Sequence, residues 1–140
     1  MEYAIENEYL IVTVTTWGAQ VKSVVRKFDD VEHMWQADKS VWGYHAPILF
    51  PHTGKVVDDL IETKGEVYQA KQHGFARLME HTLVRQTEDT IVMELRSSEE
   101  TLRIFPYAFR LVSTFTLDGD EAAISEAKDV PVSYTHLRAH

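Results

Sequence analysis

Apolar and polar residues alternate along several stretches of the chain. In residues 9–16, YLIVTVTT, Leu10, Val12 and Val14 fall on one face and Thr13 and Thr15 on the other. A period of two in β-branched residues predicts a strand. The run QVKSVV follows a turn at Gly18 and reads the same way. So does TIVMELRS, with Ile91, Met93 and Leu95 facing one side and Glu94 and Arg96 the other. In FRLVSTFTL, Phe109, Leu111, Phe115 and Leu117 share a face. Turn residues separate these runs at Asp29-Asp30, Thr53-Gly54 and Asp118-Gly119, and no window holds a helical period. One helical turn is expected at residues 98–102, where Ser98 can cap ahead of Glu99 and Glu100. The pattern predicts an all-β, antiparallel sandwich. Its core is expected to contain Leu10, Val12, Val14, Phe50, Phe75, Ile91, Met93, Leu95, Phe109 and Leu111.

The alternation fades after Asp120. A hairpin turn at residues 118–120 should lead into a returning strand, yet EAAISEAKD is polar and lacks a clear period. Residues 1–120 are therefore read as one domain portion and residues 121–140 as a poorly patterned tail. The closing VSYTHLRAH resembles translated sequencing-adapter read-through, so a non-native end is expected from about residue 130.

Composition narrows the function. The 140 residues are 44% hydrophobic and 26% charged, as in a globular domain. A net charge of -8 argues against a nucleic-acid partner, which needs a basic stripe. No run is long and apolar enough for a membrane span, and acids stand near the N-terminus where a signal peptide carries Lys or Arg. Cysteine is absent. That removes disulfides and thiolate chemistry and suits a reducing, cytoplasmic setting.

Two segments concentrate reactive side chains: WGYHAPILFPHTGKV at residues 42–56 and QHGFARLMEH at residues 72–81. Pro47 and Pro51 bracket an apolar run and make it a short extended piece. The Thr53-Gly54-Lys55 turn leaves Lys55 on a loop. Gly74 frees the backbone so that Phe75 can bury while His73 and Arg77 stay accessible. An imidazole that donates and accepts, beside a guanidinium that donates in a fixed fork, is suited to sugar hydroxyls. Taken alone, His73 also reads as a structural histidine and Arg77 as the partner of a nearby acid. Trp17, Trp35 and Trp42 are expected in the core, because aromatics dominate burial in sandwiches. The spacings of His45/His52 and His73/His81 do not suit a metal pair.

The same segments resemble the aldose 1-epimerase (galactose mutarotase-like) superfamily, in the branch near glucose-6-phosphate 1-epimerases. The resemblance rests on Gly18-Ala19-Gln20-Val21-Lys22-Ser23, on His45-Ala46-Pro47-Ile48-Leu49-Phe50-Pro51, on Gly54-Lys55, on His73-Gly74-Phe75-Ala76-Arg77, and on Phe105-Pro106-Tyr107-Ala108-Phe109. Five motifs in order cover roughly residues 10–120. The resemblance implies the N-terminal part of an incomplete supersandwich, and an isomerase that interconverts α and β anomers of an aldose or aldose phosphate. It implies His73, Arg77 and Lys55 as substrate-binding residues, beside an aromatic such as Trp42 or Phe50. Acid/base ring opening needs no cofactor. In the family the base is a late Glu and the acid a second His downstream of H-G-F-A-R; neither has a matching position here. Family members usually carry Arg where Lys55 stands, and many carry an acid where Leu78 stands. A non-catalytic carbohydrate-binding sandwich is the alternative.

Overall fold

A computed structural model describes residues 1–129 and the strand at 138–139. Its regular structure is almost wholly antiparallel strand. The first sheet is a meander of β1 (Glu2–Glu6), β2 (Leu10–Thr15), β3 (Gln20–Arg26) and β4 (Val31–Glu32). A small hairpin follows, made of β5 (Leu60–Thr63) and β6 (Glu66–Gln69). The second large sheet runs in spatial order β10 (Glu121–Asp129), β9 (Arg110–Asp118), β8 (Thr90–Arg96), β7 (Thr82–Gln86). A two-residue β11 (Arg138–Ala139) pairs with β5.

The alternating runs become strands whose apolar faces meet. Leu10, Val12 and Val14 of β2 are buried while their neighbours are half-buried, and the same alternation marks β8 and β9. Across the β8–β9 ladder Ile91 opposes Phe115 and Leu95 opposes Leu111, so inner-face side chains stack as cross-strand pairs. On the outer face Glu94 meets Arg96 at 3.0 Å and Arg110 at 2.7 Å. Pairs this exposed contribute under about 1 kcal/mol each. Nine of the ten residues expected in the core are buried there. Phe75 is the exception: it is half-buried and packs against the core from its rim.

The expected helical turn is present as α1 (Glu99–Leu102). Ser98 accepts from the Thr101 amide and the Thr101 hydroxyl accepts from the Ser98 amide, a reciprocal cap. Two expectations meet a different outcome. Trp17, Trp35 and Trp42 are 47%, 44% and 48% exposed, so they are not core residues. All three stand outside the strands, and the core is filled by Phe50, Phe105, Tyr107 and Phe109. The poorly patterned segment after Asp120 is also strand: β10 pairs with β9 from Glu121↔Asp118 to Asp129↔Arg110. All nine of its residues are exposed, so neither face selects apolar side chains. The expectation of a non-native end from about residue 130 falls, β11 apart, outside the described residues.

Candidate functional site

The motifs noted in sequence lock to one another through backbone. Phe50 and Gly74 form an isolated parallel bridge, and the Phe50 carbonyl accepts from the amides of Phe75 at 2.9 Å and Ala76 at 3.3 Å. Phe50 itself is buried against Phe109 at 4.9 Å and edge-on to Phe75 at 6.0 Å. Gly18 is held to the next turn by its amide, which donates to the Met79 carbonyl at 2.7 Å. Its φ is +71° and a Cβ there would lie 2.6 Å from the Arg77 carbonyl oxygen, so the position requires glycine. Gln20, buried at the start of β3, accepts from the His45 amide at 3.1 Å. Three segments distant in sequence are thereby fixed around residues 73–77.

His73 and Gly54 bond each other twice. The His73 amide donates to the Gly54 carbonyl at 2.8 Å, and the Gly54 amide donates to His73 Nδ1 at 2.8 Å. Nδ1 is an acceptor there, so the neutral ring carries its proton on Nε2. The ring is oriented, and its Nε2 lies 3.5 Å from the Gln72 side-chain amide. Lys55 follows on the exposed loop. Arg77 is half-buried: Nη2 donates to the Gln72 carbonyl at 3.1 Å and the guanidinium lies 4.8 Å from the centre of the Tyr44 ring. Its Nε is buried with no hydrogen-bond partner. The structure joins His73 to the Gly54-Lys55 turn by direct hydrogen bonds, and joins Arg77 to the same region through Gln72.

A cavity of about 250 Å³ opens beside this cluster, walled by His52, Tyr68, Lys71, Gly74, Phe75 and Phe105 among others. His73, Arg77 and Lys55 are not in its wall. Burial lowers the His52 pKa, and the neighbouring His73 acts in the same direction. The Lys71 backbone opposes this, but neither imidazole nitrogen of His52 makes a well-formed hydrogen bond. Tyr44 was not legible as a neighbour of Arg77, since no spacing in sequence ties the two.

His81 is the most enclosed histidine at the end of this segment. It is 2% exposed, and Nε2 donates to the Ala76 carbonyl at 2.9 Å while Nδ1 has no partner. Burial lowers its pKa below the ordinary value of 6.5. The unfolded chain therefore binds a proton more readily than the folded one, and stability falls as pH drops below about 6.5 toward the folded value. Urea midpoints should be level between pH 8 and 7 and decline between pH 6.5 and 5. The slope should be smaller in His81→Gln; an equal slope would show that His81 is not responsible. His45 and His52 shift in the same direction and supply the remainder. Asp29, Asp89 and Glu94 lie below their ordinary 3.8–4.5 and titrate under this window.

A family model for aldose 1-epimerases matches residues 1–136. The chain belongs to the aldose 1-epimerase family. This aldose 1-epimerase family chain is 34% identical over 124 residues to the LacX proteins of Lactococcus lactis, covering 85% of its own length and 41% of theirs. It superposes on a galactose mutarotase related enzyme from Lactobacillus acidophilus with TM-score 0.87 and 35% identity. That match covers 93% of this chain and 44% of that one. A galactose mutarotase-like protein from Lactobacillus casei gives TM-score 0.88 and 30% identity over 91% and 44%. The chain thus spans less than half the length of these relatives, and the sandwich is an incomplete one. Among the described residues no helix is long and apolar enough to cross a membrane, and no three His, Asp or Glu side chains converge as a metal site requires.

Proposed function

We propose that this chain supplies the sugar-holding part of an aldose 1-epimerase, an isomerase that interconverts the α and β anomers of an aldose or aldose phosphate. The observation that carries the reading is the double hydrogen bond between His73 and Gly54, which orients an imidazole at the Gly54-Lys55 turn. In the reaction a base takes the proton of the C1 hydroxyl and an acid protonates the ring oxygen. The ring opens to the aldehyde, C1 turns, and the ring closes on the other face. His73 bonds a ring hydroxyl, and Arg77 and Lys55 supply positive charge suited to a hydroxyl or a phosphate. Neither acid nor base is assigned within these residues, and no cofactor is needed.

The test is polarimetry on α-glucose and α-galactose, with a coupled assay on glucose 6-phosphate, using a chain extended through its native gene to the relatives' length. Acceleration of mutarotation is expected, with kcat/KM lowered about tenfold or more by His73→Ala, the loss expected for one hydrogen bond in a closed site. Sugar binding without turnover would favour the non-catalytic module instead.

A further inference from the structure

We propose that the cavity beside the Phe50–Gly74 bridge is a binding site for a small uncharged aromatic molecule. His73, Arg77 and Lys55 are not in its wall, so this goes beyond the sugar-holding reading and does not depend on it. The cavity lies where the β5–β6 hairpin, the turn at residues 74–79 and the segment after α1 meet. Its volume is about 250 Å³, and Ile61, Ala70, Phe75, Met79, Ile104 and Phe105 form most of its apolar wall. A cavity of roughly 150 Å³ with walls of this kind stays dry and admits benzene. A single ring therefore fits here with room for a substituent.

The wall decides the chemistry of the guest. Its two hydroxyls are committed: Thr63 shares a hydrogen bond with Tyr107, and Tyr68 donates to Glu66 at 3.2 Å. Both His52 nitrogens are buried, so the ring turns carbon to the space, and burial lowers its pKa and keeps it neutral. Gln69, Lys71 and Glu100 are exposed at the rim, where water solvates them and the two charges are of opposite sign. A charged guest would give up its own water without finding a partner inside. An apolar guest bears no such cost. Phe75 and Phe105, tilted at 53° with centroids 6.1 Å apart, offer a third ring its edge and face contacts, and the Met79 thioether suits an aromatic edge. These contacts favour an aromatic guest over an alkane of the same size.

The test is calorimetric titration of this chain with toluene and with benzoate, which has the same ring and a charge. Toluene should bind with a Kd of roughly 0.1–1 mM, in the range open to so small a ligand, and benzoate at least about tenfold more weakly. Ala70→Phe occupies the space, and Leu78→Arg places a charge at its mouth. Each should weaken toluene about tenfold or more. Val84→Arg, on the exposed face of β7 and outside the wall, should bind as the parent chain does. Circular dichroism checks that each variant is folded. Leu78 is 38% exposed, so Leu78→Arg decides alone if Ala70→Phe does not fold. The proposal is overturned if toluene gives no saturable heat, if benzoate binds as tightly, or if toluene binds the folded Leu78→Arg chain as it binds the parent.

Discussion

Gly74→Ala should destabilise the fold by roughly 2–5 kcal/mol, from an αL penalty of about 1–2 and an overpacking cost of about 1–3. Gly74 has φ of +75°, and a Cβ there would lie 2.1 Å from the Phe50 carbonyl oxygen and 2.7 Å from Pro51 Cδ. The obstacle is backbone, so no rotamer change relieves it. Moving the chain apart would also break the bonds from the Phe75 and Ala76 amides to Phe50. Gly119→Ala is the control: its φ is +57° but nothing lies within 4 Å of the added carbon. That variant should show only the αL penalty. Urea unfolding followed by tryptophan fluorescence separates the two, and equal losses at both positions would refute the close approach. A loss of this size is a large share of the ~5–15 kcal/mol that holds a domain together.

The large strands were legible because each buries one face. Leu10, Val12 and Val14, or Ile91, Met93 and Leu95, leave a period of two in the sequence since their alternate neighbours stay nearer water. Ser98 was legible as a cap for an equally local reason: its partner Thr101 is one turn away. β10 left no such trace. Its backbone pairs fully with β9 while both of its faces are exposed, so main-chain hydrogen bonds specify it without help from an apolar pattern. The tryptophans illustrate the reverse error. Their size predicts burial, but Trp35 and Trp42 lie in an irregular connection where exposure depends on what the loop packs against.

The candidate site divides along the same line. Gly74 announced an unusual backbone, and its positive φ agrees with that expectation. The motifs named His73, Arg77 and Lys55, but spacing alone could not say that Gly54 would hold the His73 ring or that Tyr44 would lie under Arg77. Those are contacts between segments, set by how the Phe50 bridge brings two loops together. His52 belongs to this class as well. Only the folded chain places it in a cavity wall beside Gly74.

The chain as it stands should accelerate mutarotation at least ~10²- to 10⁴-fold less than the same chain extended through its native gene. That is the usual contribution of one general acid or base. The proposed mechanism needs two such groups facing opposite sides of the sugar ring, and in that proposal His73, Arg77 and Lys55 bind rather than transfer protons. The candidates within the chain are few once the geometry is considered. His81 is enclosed, with its one bonded nitrogen committed to Ala76, and the Glu80 carboxylate accepts from the Thr16 hydroxyl. His45 lies between Lys22, Glu2 and Glu32, groups of the first sheet and its edge. Among the described histidines, His52 combines a cavity wall, ring nitrogens without a well-formed hydrogen bond and a lowered pKa that keeps it neutral near pH 7. Polarimetry on freshly dissolved α-glucose and α-galactose, run on both chains at equal concentration, decides the matter. Equal rates would place acid and base within these residues, and His52→Ala would then be expected to abolish the activity of both.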